Sequence, residues 1–295
     1  MSKVQTINDL KRPLSVWRLL KERSFIIICF TSTTFGLFAL AALLYDVGAL
    51  GAQTVNWDFI TNPPSRRPEQ AGIYPALIGT IWLMLLTAGI TVPLGVGAAM
   101  YLEEFAPKSR LTRLIQLNIT NLAGIPSIVY GLLGLAVFVR MFQLGQSVLA
   151  GALTLSLLVL PVVITASQEA IRAVPNSFRE GALALGATRW EALRTAILPN
   201  AVSGILTGVI LSLSRAIGEA APLIVVGAAT YIRFAPQNPM DAYTAMPIQI
   251  YNWAQMPQIG FRTNSAGAIV VLMVVLILFN STALYLRYWS RKNKH

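Results

Sequence analysis

The chain contains six long apolar runs separated by short polar connections. Each run holds close to the roughly 20 residues that a helix needs to cross about 30 Å of hydrocarbon. The runs lack the alternating pattern of a membrane β-strand, so helices are the structure that satisfies their backbone groups in lipid. The predicted spans are Phe25 to Leu44, Pro75 to Tyr101, Leu122 to Val139, Val148 to Ala166, Val202 to Ala229 and Ala266 to Tyr288.

Two details of these runs need interpretation. The first run follows a basic stretch and has a weak cleavage pattern at Ala49 and Gly51, but its length favours a retained anchor over a signal peptide. Pro93, Pro126 and Pro161 lie within later runs and are interpreted as tolerated kinks. The predicted fold class is an all-α membrane protein with six transmembrane helices.

The composition supports this class. Of the 295 residues, 55% are hydrophobic and 12% are charged, and the mean hydropathy is +0.61. The formal net charge of +11 does not indicate nucleic acid, because the basic residues sit in short clusters between the apolar runs. Seventeen of the 23 Lys and Arg residues fall on one side of a six-span topology and five on the other. Positive residues favour the cytoplasm, so both termini are predicted to be cytoplasmic.

Few residues have the pattern of an active site. Cys29 lies inside an apolar run, and His295 is the only histidine. The chain has no Gly-x-x-x-x-Gly-Lys-Ser/Thr loop for ATP, and no metal site or catalytic residue is predicted.

The cytoplasmic connection from about Gln168 to Pro199 predicts two short helices. Ser177 with Glu180, and Thr188 with Glu191, have the spacing of capping boxes. Gly186 suits the left-handed residue that ends the first helix. The product would be a helix-turn-helix projecting from the membrane, although a capped surface loop without a partner has the same pattern.

Arg215 is the most costly residue of the apolar runs. It lies thirteen residues after Val202, which at 1.5 Å per residue places it roughly 20 Å into the fifth run. A charge at that depth costs about 2.5 to 3.5 kcal/mol on insertion scales. Glu219, one helical turn later, could form an ion pair that only locks the helix in place. Alternatively, Arg215 meets a tetrahedral oxyanion in the substrate pathway and Glu219 orients it.

The outer connection, about Thr230 to Ser265, combines aromatic residues with four prolines. It could receive a soluble binding protein, or its aromatic residues could be ordinary anchors at the membrane interface. The aromatic residues are Tyr231, Phe234, Tyr243, Tyr251 and Trp253.

The cytoplasmic connection resembles the EAA motif of ABC-importer permeases, which reads Glu-Ala-Ala, three residues, Gly, nine residues and Ile-x-Leu-Pro. Gly181 replaces the central Ala, and Ala196 stands where Ile is usual. The resemblance implies a coupling helix that docks in a groove of a separate ATPase subunit, which binds ATP and Mg. The positions it assigns to coupling are Glu180, Gly181, Ala182, Gly186, Leu198 and Pro199.

Three further stretches, Asn121 to Gly131, Ser214 to Pro222 and Thr244 to Trp253, resemble the phosphate-importer permeases of the PstA type. Ala220 departs from this pattern, because a Thr is expected there. The resemblance implies a type I ABC-importer permease of the MetI-like bundle that carries inorganic phosphate across the bacterial inner membrane. It also implies four partners: a second permease of the PstC type, two ATPase subunits of the PstB type and a binding protein of the PstS type.

On this reading, residues 1–72 form a cytoplasmic tail, an anchor and an outer loop, 73–288 form the permease domain, and 289–295 form a basic tail. Two other functions remain open. A permease for sulfate, molybdate or another oxyanion would have the same composition. An ion-coupled secondary transporter could use Arg215 and Glu219 as a relay, but it would not need the capped segment at Glu180 to Pro199.

Overall fold

The structure, a computed structural model, describes residues 16–229 and 231–292, and helices dominate it. Three short π-turns, Tyr101–Phe105, Leu135–Met141 and Leu193–Ile197, extend or precede α-helices. In chain order the helices are α1 (Val16–Gly51), α2 (Trp57–Thr61), α3 (Tyr74–Met100), α4 (Arg110–Leu122), α5 (Ser127–Gly134), α6 (Val148–Arg172), α7 (Asn176–Ala184), α8 (Arg189–Ala192), α9 (Leu198–Ile217), α10 (Ala221–Val226), α11 (Met246–Ala254) and α12 (Ile259–Lys292).

Five stretches within the described residues are long and apolar enough to cross a membrane. A bent pair, Arg110–Leu122 and Ser127–Met141, makes a sixth if its two helices form one span. The five stretches are Lys21–Gly51, Tyr74–Phe105, Val148–Arg172, Arg189–Ile217 and Ile259–Tyr285. The chain divides into two units, residues 1–49 and 50–295. Most of α1 belongs to the first unit, and the second contains all the later helices.

The predicted third and fifth spans are wrong as continuous helices. The third is broken between Leu122 and Ser127, where the chain bends by 104°. Pro126 has no N–H to donate and disfavours a helical conformation in the residue before it, so it forms this break rather than a tolerated kink. Pro93 and Pro161, by contrast, lie inside continuous helices.

The fifth span is broken between α9 and α10. Gly218 ends α9, and Pro222 lies in the first turn of α10. A continuous helix would need Pro222 to donate to the Gly218 carbonyl, and its ring would also clash with that group. The second helix is short, because Gly227 ends it in the left-handed region at φ +99°.

Helices α3, α6 and α9 pack together in the second unit. Gly95 of α3 faces Val163 of α6, and the Thr87 hydroxyl donates to the Ala152 carbonyl oxygen at 3.4 Å, so α3 and α6 run parallel. The α6–α9 pair is antiparallel, since Gly204 and Gly208 of α9 lie against Ala170 and Ala166 of α6 respectively. The absence of a side chain at these glycines allows close packing of the helices.

The outer connection is inserted into this bundle. Tyr243 is fully buried with its hydroxyl against Gly151, and the Met246 N–H donates to the Thr80 hydroxyl at 2.9 Å. The connection therefore fixes the start of α11 against α3 and α6.

Candidate functional site

Arg215 and Glu219 lie together at the break between α9 and α10. The distance from Arg215 Nε to Glu219 Oε1 is 3.5 Å, longer than the 2.7–2.9 Å typical of a strong charged hydrogen bond. The side chain of Arg215 is 65% exposed and that of Glu219 is 19% exposed. Among the residues that the structure describes, Glu219 is the only acidic group paired with Arg215. The guanidinium is therefore held on one side only.

The pair lies level with the middle of α6. A small cavity beside it is lined by Leu158, Val159 and Val162 of α6, whose central residue is Leu160. Helix α6 is one of the five stretches that could cross a membrane, and the mid-membrane depth of Arg215 stays a prediction. Its position within α9 differs from the prediction, because it lies in the last turn of the helix rather than midway along a continuous span.

Both broken spans meet at this cavity. Ala123 and Ile125, from the break before α5, line it together with Arg215 and Glu219. Interrupted helices are tolerated at membrane depth where they are buried in protein or line a water-filled path. The cavity measures about 20 Å³, which is room for about one water. An oxyanion therefore does not fit inside it in this conformation.

Ser214 connects the Arg215 turn to α12. Its hydroxyl lies 2.5 Å from Asn280 Oδ1 and 2.7 Å from the Ile210 carbonyl oxygen, and it can donate its one proton to either acceptor. Sequence reasoning missed this contact, although a single Asn within the apolar run of α12 was an available signal. Ala220, which departs from the PstA pattern, precedes α10 and provides no side-chain cap.

Residues 175–199, termed the coupling segment, form the predicted pair of short helices. Gly186 has φ +88°, and it donates its N–H to the Leu183 carbonyl oxygen while Ala187 donates to that of Ala182. These two bonds form a Schellman motif at the end of α7. The capping box of Thr188 and Glu191 is also confirmed.

The capping box predicted at Ser177 and Glu180 is wrong. Helix α7 begins at Asn176, one residue before Ser177, and its N-cap is Pro175, which has no hydroxyl to offer. The helix starts without a side-chain cap, and the Phe178 N–H donates to the Pro175 carbonyl oxygen at 3.1 Å.

The residues assigned to coupling occupy two different environments. Glu180, Gly181 and Gly186 are exposed, Ala182 is half-buried, and Leu198 and Pro199 form the half-buried first turn of α9. Large apolar side chains that the sequence reasoning did not single out surround the exposed part. They are Phe178, Leu183, Leu185 and Trp190, of which Leu185 is 91% exposed.

The aromatic residues of the outer connection also divide into two groups. Tyr243 and Trp253 are buried core residues, so neither reading of them as docking or interface residues is correct. Tyr231, Phe234 and Tyr251 are exposed. An outer cavity of about 690 Å³ is lined by Tyr231 with Arg66 and several amide side chains, namely Gln249, Asn252, Gln255 and Gln258.

The described residues contain no group of three or more His, Cys, Asp or Glu side chains that could hold a metal ion. His295 lies outside the described residues, as do Thr230 and the tail residues 1–15 and 293–295.

Apolar helices that are long enough to cross a membrane and are interrupted around a charged pair, with a capped helical pair beyond them, are typical of a membrane-embedded transport subunit. Residues 91–293 match the family described as binding-protein-dependent transport system inner membrane component, and the chain belongs to that family.

The relatives extend this likeness over nearly the whole chain. The phosphate transport system permease protein PstA 1 of Mycobacterium tuberculosis is 32% identical, over 96% of this chain and 94% of that protein. PstA of Haemophilus influenzae is 30% identical over 92% of this chain and 96% of its own length. The probable ABC transporter permease YqgI of Bacillus subtilis is 32% identical over 85% of this chain and 92% of that protein.

Solved structures share the fold at low sequence identity. A chain of a bacterial alginate ABC transporter bound to its periplasmic protein has a TM-score of 0.65 at 17% identity, over 89% of this chain and 93% of that one. A chain of the MetNI methionine ABC transporter has a TM-score of 0.58 at 16% identity, over 72% of this chain and 93% of that one.

Proposed function

We propose that this chain is a permease subunit of an ATP-driven importer that carries inorganic phosphate across the bacterial inner membrane. Its family and its relatives named as phosphate transport permeases support this function. The single observation that carries the substrate assignment within the chain is the exposed guanidinium of Arg215 at the level of the middle of α6. A planar guanidinium fork matches paired oxygens of a tetrahedral oxyanion.

Glu219 favours release of the anion over tight binding, as transport requires. A lone buried cation would hold an oxyanion tightly, whereas the carboxylate 3.5 Å away keeps the guanidinium oriented and offsets part of its attraction. Phosphate would therefore bind Arg215 weakly and leave readily. High affinity would reside in a separate binding protein on the outer side.

The coupling segment is the proposed docking surface for the ATPase. Its exposed turn at Gly186 carries Leu185, whose 91% exposed side chain could bury its apolar surface against a partner. Two ATPase subunits would bind ATP and Mg, so this chain itself is not an enzyme. A second permease would complete the pathway, and a phosphate-binding protein would dock around the outer cavity at Arg66.

The proposed topology places both termini in the cytoplasm. The ends of α3 and α6 and the start of α9 come together near the coupling segment, and Lys108, Arg172 and Arg179 lie at one cavity there. Basic residues favour the cytoplasmic side.

Transport in proteoliposomes tests the substrate and the energy source together. The complex of this chain with its second permease and ATPase is supplied with loaded binding protein, and uptake of phosphate, sulfate and molybdate is measured with and without internal ATP. We expect phosphate uptake that requires ATP. Uptake of sulfate or molybdate in place of phosphate would assign another oxyanion, and uptake driven by an ion gradient without ATP would contradict the importer assignment.

Substitutions at the pair test the role of Arg215. Arg215→Gln is expected to abolish uptake, and Arg215→Lys to impair it because the planar fork is lost. Arg140→Gln, an exposed cation at the outer end of the π-turn after α5, is the matched control and should retain uptake. If the double variant Arg215→Gln, Glu219→Gln transports like wild type, the pair only stabilises the bundle and the substrate contact is refuted.

A further inference from the structure

Three consecutive residues at the cytoplasmic end of α3 each contact a different element. They belong to the π-turn Tyr101–Phe105, termed the acidic π-turn, which carries Glu103 and Glu104. A π-turn inserts an extra residue into a helix and changes the directions of the side chains around it, and such turns are frequent at functional sites.

Glu103 ties the acidic π-turn to α6. Its carboxylate accepts two hydrogen bonds from Arg172, from Nε at 2.9 Å and from Nη2 at 2.7 Å, and a third from Gln168 Nε2 at 2.9 Å. Gln168 in turn accepts a hydrogen bond from Gln116 of α4 at 3.0 Å. The end of α3 is thus joined to α6 and α4 by polar side chains that leave Glu103 only 14% exposed.

Glu104 ties the same turn to α7, the first helix of the coupling segment. Arg179 donates to both carboxylate oxygens, from Nε at 3.0 Å and from Nη2, in the two-pronged geometry that makes guanidinium–carboxylate pairs strong and directional. Glu104 is 8% exposed and Arg179 is 34% exposed. Arg179 is itself oriented by Asn176 at the start of α7, whose side-chain oxygen accepts from Nη1 at 2.8 Å.

Two further observations indicate that the acidic π-turn and the coupling segment are firmly connected. Hydrogen bonding to Glu104 raises the pKa of Arg179 above its ordinary value, because it stabilises the charged guanidinium. Phe105, the third residue of the series, lies against Trp190 of α8 with a ring-centroid distance of 6.5 Å. The acidic π-turn therefore contacts both α7 and α8 of the coupling segment.

Helix α3 connects the acidic π-turn to the candidate pathway at Arg215. It packs along α6 through Gly95, which faces Val163 and Leu160, and the adjacent α6 residues Val159 and Val162 line the cavity at Arg215. A displacement of α7 would therefore move α3 and α6 as one body.

We propose that the Glu104–Arg179 pair is the positioning contact through which movement of the coupling segment reaches the membrane helices. This inference rests on the proposed function as an ATP-driven importer. Breaking the pair should leave ATPase docking in place, because the exposed Leu185 turn remains, while ATP hydrolysis no longer drives transport efficiently.

Charge reversal tests the pair in the full complex in proteoliposomes. Glu104→Arg and Arg179→Glu are measured singly and together for copurified ATPase, for ATP hydrolysis stimulated by loaded binding protein, and for substrate imported per ATP. Each single variant is expected to lower import per ATP at least about ten-fold while ATPase copurifies normally. The double variant, which restores opposite charges in exchanged positions, is expected to recover most of that ratio. Lys108→Glu, the same charge change as Arg179→Glu at the same cavity, should leave the ratio unchanged.

Defined results overturn the proposal. Wild-type import per ATP in Arg179→Glu, or no recovery in the double variant with normal assembly, would refute transmission through this pair. If the reversals do not reach the membrane, Glu104→Gln keeps the shape and removes the charge, and an unchanged ratio in that variant refutes it equally. Import per ATP is measured with whichever oxyanion the wild-type complex imports. A wrong substrate assignment would therefore not be mistaken for a failure of transmission through the Glu104–Arg179 pair.

Discussion

Two exposed glycines of the coupling segment should respond in opposite directions to the same substitution by alanine. Gly186 has φ +88°, whereas Gly181 lies inside α7 with a helical backbone, and an added Cβ meets no atom within 4 Å at either position. Packing is therefore equal at the two sites, and only the backbone conformation differs.

The magnitudes follow from that difference. A non-glycine residue in the left-handed region costs about 1–2 kcal/mol, which is a factor of about 5 to 30 in a local equilibrium. Replacing a helical glycine by alanine gains about 0.8–1 kcal/mol, or about four- to five-fold. Gly186→Ala should therefore destabilise the coupling segment, and Gly181→Ala should stabilise it.

Hydrogen exchange of the detergent-solubilised protein measures this local stability directly. The amides of α7 and α8 are expected to exchange faster in Gly186→Ala and more slowly in Gly181→Ala, with α6 unchanged in both. Gly186→Asn should fall between wild type and Gly186→Ala, because asparagine tolerates the left-handed region. Gly186→Leu adds bulk to the docking turn and should uncouple uptake while the protein still inserts.

The reasoning fails if both alanine variants shift exchange in the same direction. It also fails if Gly186→Ala leaves exchange unchanged, since the strain at Gly186 would then be relieved by another turn conformation. Full uptake and ATPase binding in Gly186→Leu would refute the docking role of this turn.

Two further predictions concern topology and packing. Cysteines placed at Arg189 and Asn238 should be labelled from the cytoplasmic and outer sides respectively, and an outward Arg189 would overturn the topology. Gly131→Ala should lower the thermal stability and the uptake, because its Cβ would lie 2.9 Å from Pro222 Cα and force α10 away from α5. Overpacking of this kind typically costs about 1–3 kcal/mol. Gly89→Ala, which meets no atom within 4 Å, is its control, and equal behaviour of the two variants would refute the packing argument.

Features set by local chemistry were predictable from the sequence. Helix α6 begins at Val148 as expected from its apolar run, and the left-handed Gly186 and the Thr188–Glu191 capping box follow from residue type and spacing alone. Each depends on neighbours within a few residues along the chain. The predicted proximity of Arg215 and Glu219 was correct, but Glu219 lies beyond the end of α9, so the two residues do not share a helical face as predicted.

The breaks in the spans were missed because hydropathy averages over a run and does not register a single lost hydrogen bond. Pro222 four residues after Gly218 was the available signal, since that spacing removes one helical bond at a residue that readily ends a helix. The burial of Tyr243 had no local signal, because the space for its hydroxyl is supplied by Gly151 on a distant helix.

The contacts of Glu103 and Glu104 depend on tertiary structure in the same way. Their partners, Arg172 and Arg179, lie on helices about 70 residues further along the chain. From the sequence alone, two adjacent acidic residues at the end of an apolar run predict only a solvated helix end.

If Arg215 and Glu219 form the proposed substrate site, their opposite charges bear on the electrical work of import. In a cell whose interior is negative, each negative charge carried inward costs about 2.3 kcal/mol per 100 mV, and a divalent phosphate costs about twice that. A fixed unpaired cation in the pathway would add a free-energy minimum, and the anion would have to leave it against the membrane potential. Because the pair has no net charge, the membrane potential exerts no net force on the empty site, and the work of import falls on the substrate's own charge. The free energy that ATP hydrolysis must supply should then rise with membrane voltage in the step that carries phosphate inward. It should not rise in the step that returns the unloaded permease to its starting conformation.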